Sequence, residues 1–441
     1  MKHILLLGAG RSASALVDYL LINCAENNWK LTICEKDEKS CKERFPSVEV
    51  IAFDIENKDH ARQTLSKADL VISMLPATFH LKAAEICAEA GINMLTASYL
   101  SDEIKALGQK FEANNALCLM EMGLDPGIDH MSAMQVLDRI KAEGHELVSF
   151  ETFTGGLLAE DKQTDNPWQY KFTWNPRNVV LAGTGNVKFL QEGRYKYIPY
   201  QKLFRRTEVI HIPGYGYFEG YANRDSLKYL DLYGLRGIKT LYRGTLRRTG
   251  FCKAWDIFVQ LGATDDNYKM ENVGDMTHRQ FINSFLSYNP HDSVELKIAH
   301  YMNLSMESEE MYKLKYLDLF EETLVGLDEG TPAQILEHIL KKKWTLQAED
   351  RDMIVMWHKF VYSDNGERKE IQANMVALGD EEHTAMSKTV GLPLGIIAKK
   401  ILKEEVELSG VHVPTIREIY EPVLTELNEM GFDFDERLVE N

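Results

Sequence analysis

Three small residues in a fixed spacing are the first in this 441-residue chain that could do chemistry. Gly8-x-Gly10-x-x-Ala13 stands between an apolar run, His3 to Leu7, and a stretch from Ser12 to Ile22 with helical spacing of its apolar positions. A turn of this kind suits a dinucleotide. The first glycine allows the tight turn, the second lets the backbone approach a pyrophosphate, and the third position must be small for helix–strand packing. Backbone N–H groups of Arg11, Ser12 and Ala13 then face the phosphates at the positive end of the helix. Glu35 closes the second apolar run, near the ~20-residue offset at which an acidic side chain accepts from the ribose 2′-hydroxyl. A carboxylate there repels a 2′-phosphate, so NAD is expected over NADP. Lys36 could turn in and neutralise that phosphate, which keeps NADP possible.

The elements that would position these residues alternate between strands and helices. Apolar runs at 31–34, 48–53, 69–74, 92–97 and 117–120 read as strands, with helical patterns starting near Asp59 and spanning 78–90. Strands separated by such helices imply right-handed crossovers and a parallel sheet. The charges of EKDEKS read only as the end of the second strand. Residues 146–260 are rich in aromatic residues, glycine and arginine, with strand-like pieces, whereas 275–345 read mainly as helix. Thr331 as N-cap with Pro332 behind it marks one helix start. Asp364-Asn365-Gly366 between runs at 352–362 and 367–378 predicts a hairpin. A helix with small residues along one side follows from Gly391, and an amphipathic one from Thr415 to Met430. No linker-like segment interrupts the chain, so a second domain is expected to be inserted rather than tethered.

Composition narrows the class. The chain is 44% hydrophobic and 27% charged, which is globular and excludes disorder. A net charge of −17 disfavours nonspecific binding to nucleic acid or anionic membrane. No apolar stretch approaches the ~18 residues of a membrane span. Six scattered cysteines form no C-x-x-C pair, so no metal site and no disulfide framework is expected. These features together predict a soluble, cytoplasmic protein.

Longer motifs carry a more specific reading. TASYLSDEI (96–104), EMGLDPGIDHMSAM (121–134), TGGLLAEDKQTDNPWQYKFTWNPRNVVLAG (154–183), YANRDS (221–226), RGTLRRTGF (243–251), GLPLGIIAKKIL (391–402) and GVHVPTIREIYEPVLTEL (410–427) together resemble the glutamate-forming saccharopine dehydrogenases. The resemblance implies an α/β protein: a Rossmann-like doubly wound parallel sheet, an inserted α/β substrate domain and a mainly helical region. The expected division is 1–125 plus 391–441 for the dinucleotide domain. Residues 126–390 form the inserted substrate-binding and dimerisation region, helical at about 275–345. A homodimer is the expected assembly. By motif, the nucleotide would meet Gly8, Gly10, Arg11, Ser12 and Ala13, then Glu35 and Lys36, Asp54 and Ile55, Leu75 and Pro76, Thr96, Ala97 and Ser98, and Trp174 on the nicotinamide side. Substrate would meet Ser98, Tyr99, Asp125, Arg224, Thr245, Leu246 and Arg247. The implied reaction is the NAD(P)-dependent oxidative cleavage of saccharopine, a tricarboxylate, to L-glutamate and 2-aminoadipate 6-semialdehyde, or its reverse. Guanidinium groups suit that substrate because they bind carboxylates through two parallel hydrogen bonds. Asp125 and Tyr99 are the candidates for moving protons. Where many relatives carry a cysteine, this chain has Thr154, whose hydroxyl is a poor acid or base. A dehydrogenase for another imine, such as carboxynorspermidine, and a nucleotide-binding relative without chemistry are the alternatives.

Overall fold

A computed structural model of the chain describes residues 1–160 and 165–439, the side chain of Arg11 excepted. The part of the 154–183 motif at 161–164 therefore lies outside the described residues. Two compact units emerge: Met1–Glu146 with Met375–Asp435, and Leu147–Asn374 with the residues from Glu436.

In the first unit the expected apolar runs become β1 (His3–Leu7), β2 (Lys30–Glu35), β3 (Glu49–Ala52), β4 (Leu70–Ser73), β5 (Asn93–Thr96) and β6 (Leu117–Leu119). A short strand, Gly410–His412, pairs with β6 and completes the sheet from the far end of the chain. The order is Gly410–His412, β6, β5, β4, β1, β2, β3, and the six pairings are all parallel. Leu5, Leu6 and Leu7 are at most 1% exposed, because helices cover both faces of the sheet. The order reverses between β1 and β4, which is where such sheets bind ligands. EKDEKS does more than close β2. Asp37 accepts from the Ser40 N–H and starts the helix Glu38–Arg44, with acid in its first turn and base in its last.

The expected boundaries at 125 and 391 fall inside this unit. The helix Ile128–Ala142 belongs to it, since the Tyr420 hydroxyl of the helix Arg417–Glu429 donates to Asp138 at 2.7 Å. The helix expected from Gly391 begins at Ala385, where Thr384 accepts from the Ser387 N–H. Its small residues let it press on the first helix, Ser14–Asn27. A Cβ on Gly391 would stand 2.9 Å from the Leu16 backbone nitrogen, and one on Gly395 2.5 Å from the Tyr19 ring.

The second unit is built on a mixed sheet, nine-stranded among the described residues. Its strands include β7 (Glu146–Leu158), β8 (Val187–Gln191), β9 (Arg194–Ile198), β10 (Thr207–Ile212), β11 (Gly216–Ala222), β12 (Thr240–Arg248), β13 (Asp352–Asp364) and β14 (Glu367–Leu378). A last strand, Asp435–Val439, lies beside β14 and had no sequence signal. The hairpin is as expected: Asn365 and Gly366 both take positive φ, 51° and 88°, between β13 and β14. The helices His278–Asn283, Val294–Met302, Glu309–Tyr316 and Pro332–Trp344 fill the 275–345 region. Thr331 and Gln334 close a reciprocal capping box on the last of them. Trp168, Tyr170, Phe172, Phe251, Trp255, Phe258 and Trp344 interlock edge-to-face and stacked in this unit's core. Among the described residues no helix is long and apolar enough to cross a membrane.

The glycine contact generates a test of sign. In an open helix Gly→Ala stabilises by ~1 kcal/mol. At Gly391 the new methyl meets backbone, so Gly391→Ala should instead destabilise by ~1–3 kcal/mol in denaturant unfolding. A gain in stability would mean that the two helices separate without loss.

Candidate active site

The glycine turn is braced by two side chains. The Ala9 N–H donates to Glu35 Oε2 at 2.9 Å, and the Lys36 N–H to Oε1 at 2.8 Å. Arg44, from the helix that the charge run concealed, donates to the carbonyls of Ala9 and Gly10 at 2.7 and 3.1 Å. Gly8 needs its φ of +80°, whereas Gly10 has an ordinary φ of −67° and nothing within 4 Å of where a Cβ would be. Its smallness thus keeps space open rather than enabling a turn. The short turn Arg11–Ala13 that follows carries no side-chain cap. The Ala13 N–H closes that turn on the Gly10 carbonyl at 3.1 Å, and Ala13, fully buried, packs as the third small residue should. These residues fit the pyrophosphate of a dinucleotide.

The remaining nucleotide candidates follow the same edge. Lys36 pairs with Asp54 at 3.1 Å. The Glu56 N–H and then Lys36 hold the Asp54 carboxyl below its ordinary range. Ile55 turns its side chain into the core with Leu5 and Phe53. Leu75 and Pro76 follow β4, and Thr96, Ala97 and Ser98 end or follow β5.

Beyond these strand ends lies a knot of buried polar groups that sequence reasoning largely missed. His80, 2% exposed, sets Nδ1 2.9 Å from Ser73 Oγ and Nε2 2.6 Å from Ser98 Oγ. Burial holds its ring down to about 4, so it is neutral. Glu121, 4% exposed and in the left-handed region at φ 60°, accepts from the Leu100 N–H at 2.9 Å and meets His130 Nε2 at 2.8 Å. The Glu121 and Met122 N–H groups donate to the Ser98 and Thr96 carbonyls, each at 3.0 Å. Asp129 accepts from the Gly127 N–H at 2.7 Å, and Gly127 itself (φ 149°) leaves no space for a side chain, the Gly123 oxygen standing 2.0 Å from a Cβ. This scaffold carries Tyr99 and Asp125, both half-buried, with the Tyr99 hydroxyl 3.4 Å from Asp125 Oδ1. His130, fully buried against Glu121, is part of it. A histidine seven residues past a strand-ending serine was the available signal for His80; nothing local announced Glu121.

In the second unit Thr245, Leu246 and Arg247 lie on β12, opposite β7 and β11. Arg247 is 4% exposed, with its guanidinium over the rings of Tyr170, Phe251 and Tyr221 at 5.0, 5.3 and 5.9 Å. Its Nη1 donates to the Leu246 carbonyl, its Nε has no partner, and no carboxylate lies within ion-pair distance among the described residues. Glu219, directly across on β11, is engaged by the Cys252 N–H at 2.5 Å. Tyr170 and Tyr221 stay protonated, since burial raises both phenols, Tyr170 to about 12. Trp174 lies beside the Tyr170 hydroxyl and Thr245 beside that of Tyr221, so three expected site residues cluster with two tyrosines that sequence reasoning did not select. Thr154 is opposite Thr245, buried, its hydroxyl without a partner. Leu246 faces Gly155, in the core. Arg224 is exposed, in the left-handed region at φ 50°. Arg243 lies over Tyr229, and Arg248 pairs with Glu160 at 2.9 Å.

A family model described as the saccharopine dehydrogenase C-terminal domain matches residues 123–432, and one described as the saccharopine dehydrogenase NADP binding domain matches 4–119. The chain is 31% identical over 445 residues to the mitochondrial alpha-aminoadipic semialdehyde synthase of Rattus norvegicus, covering 98% of itself but only 47% of that protein. It therefore spans about half the length of such synthases. It is 28% identical over 455 residues to a Schizosaccharomyces pombe protein named saccharopine dehydrogenase [NADP(+), L-glutamate-forming], with 100% of both chains covered. The solved apo saccharopine dehydrogenase (L-Glu forming) of Saccharomyces cerevisiae is similar with a TM-score of 0.89, 26% identity and 100% coverage of both chains. Two family models covering nearly all of the chain, over a fold that matches throughout, lead to one conclusion: the chain belongs to the saccharopine dehydrogenase family.

Proposed function

We propose that this protein catalyses the nicotinamide-dependent oxidative cleavage of saccharopine to L-glutamate and 2-aminoadipate 6-semialdehyde, or the reverse condensation, in lysine metabolism. The observation that carries this reading is Arg247. A guanidinium buried without a carboxylate is costly, and a tricarboxylate substrate supplies the missing partner. Bound at the glycine turn, the nicotinamide group would supply hydride acceptance. The protein orients the substrate and moves protons. Arg247 fixes one substrate carboxylate, and the Tyr170, Tyr221 and Phe251 rings around it keep that pair dry. Asp125 takes the proton from the bridging amine, whose lone pair then pushes hydride out towards the nicotinamide; water adds to the imine so formed, and the carbinolamine collapses to glutamate and the semialdehyde. Tyr99 steadies that carboxylate by donating to it. The reading includes a homodimer in the cytoplasm.

The finer choice of nucleotide is also a proposal, in favour of NAD. The three fungal relatives are named for NADP(+) and the family model at 4–119 for NADP binding, so a preference for NAD would set this chain apart from them. The reason is Glu35. Its carboxylate accepts from two backbone N–H groups, which fix its position, and its offset from the glycine turn is the one at which a 2′-phosphate would meet it. Lys36, the cation next to it in sequence, is already paired with Asp54.

Reduction assays with NAD and NADP against saccharopine test the whole reading, which fails if neither nucleotide is reduced. Glu35→Gln keeps an acceptor for the Ala9 N–H and removes the charge. It should raise the NADP-to-NAD ratio of kcat/KM at least tenfold, ~1.4 kcal/mol; an unchanged ratio would free Glu35 of the role. Arg247→Met should lose ~2–5 kcal/mol in kcat/KM for saccharopine while nucleotide affinity holds. Parent-like kinetics in that variant would make the arginine structural. In the parent, oxidation should accelerate as pH rises through the ionisation of the base. Asp125→Asn should remove that limb and cost more than tenfold in rate, ~1.4 kcal/mol of barrier. A variant retaining the parental profile would exclude Asp125 as the base.

A further inference from the structure

His80 is used by none of the steps above, yet it is the best-defined side chain at the strand ends. It is the first residue of the helix His80–Ala90, and its ring spans from Ser73, the last residue of β4, to Ser98, two residues past β5. Among the described residues every side-chain partner of the ring is a hydroxyl: Ser73 at 2.9 Å, Ser98 at 2.6 Å and Thr96 at a distant 3.5 Å. A phenyl ring would fill the same space without needing partners, so packing alone does not account for an imidazole there. We infer that His80 is a positioning residue, which acts on the bound ligands only through Ser98 by fixing the direction of its hydroxyl.

The physical argument is one of counting donors. A neutral imidazole has one N–H and one lone pair. Whichever tautomer is present, one serine donates to the ring and the other accepts from it. One bonding direction of Ser98 Oγ is therefore committed to His80, and the rest are turned to whatever binds beyond β5. The Ser98 N–H is tied to Thr96 Oγ1 at 3.3 Å, and its carbonyl accepts from the Glu121 N–H at 3.0 Å. The backbone of Ser98 is thus fixed separately, and His80 is left to determine the side chain. Burial keeps the ring neutral, so it neither adds charge beside the nucleotide nor exchanges protons near neutral pH. The inference rests on the reading that Ser98 meets the bound dinucleotide and substrate.

A double-mutant cycle tests it. His80→Phe and Ser98→Ala are made singly and together, and measured for kcat/KM with saccharopine, its pH profile and the affinity for NADH by fluorescence titration. Each single change should lower kcat/KM about tenfold or more. The double variant should be no worse than the poorer single one, because His80 acts through a hydroxyl already removed. The pH profile of His80→Phe should keep the parental shape. Losses that multiply in the double variant would overturn the inference, as would a pH limb that disappears with His80. Should His80→Phe fail to fold, His80→Gln, which keeps an amide near Ser98, completes the same cycle with the same two outcomes. A parent that binds NADH but does not oxidise saccharopine sinks the proposed reaction alone. The cycle is then read on nucleotide affinity: non-additive losses support the positioning role, and additive or absent losses overturn it.

Discussion

Parallel strands in one sheet must all end on the same edge, and the first unit follows from that constraint. β1 to β6 deliver Gly8, Glu35, Asp54, Leu75, Ser98 and Asp125 to one side because each lies at a carboxyl end or in the loop that follows it. Residues spread over more than a hundred positions of chain become neighbours through strand direction alone. The reversal of order between β1 and β4 then opens the edge at the glycine turn. What remains for side chains is local: Glu35 and Arg44 brace the turn, and Glu121, His130 and His80 fix the loops after β5 and β6.

The second unit solves a different problem, how to keep a cation out of water. Desolvating a guanidinium costs several kcal/mol. The faces of Tyr170, Tyr221 and Phe251 return part of this, up to ~2 kcal/mol for a desolvated cation–π contact. The two tyrosines do so without becoming anions, since burial keeps their protons on. A charge held this way is stiff and poorly satisfied, the state from which a carboxylate gains most on binding. The chain's net charge of −17 sharpens the contrast at such a spot.

Much of this was legible in the order of residues. Apolar runs with glycine, proline or charge at their ends announced the six strands, and the glycine spacing announced the turn. Asn365-Gly366 announced the hairpin because both positions need positive φ. The charge run after β2 hid a helix, since polar residues that suit a solvated face suit a loop equally well. Unit limits were displaced because the helix Ile128–Ala142 packs with Arg417–Glu429, a contact between segments far apart in the chain. Tyr170 and Tyr221 resembled any buried aromatic until β11, β12 and the 170 region came together about Arg247. Glu121 escaped because its left-handed backbone conformation is dictated by partners that only tertiary structure supplies.

The return of the chain to finish the first unit bears on how the protein is made. The helix Ala385–Leu402 and the strand Gly410–His412 join β6 and the first helix only after residues 147–374 have been synthesised. At ribosomal rates of ~5–20 residues per second, the nascent sheet waits on the order of ten seconds or more with the β6 edge bare. The apolar face of the helix Ser14–Asn27 that will later meet Gly391 and Gly395 waits as well. An unpaired strand edge is a template for aggregation. Demand for chaperones during translation is thus written into the discontinuity of the unit, independently of the stability of the finished protein.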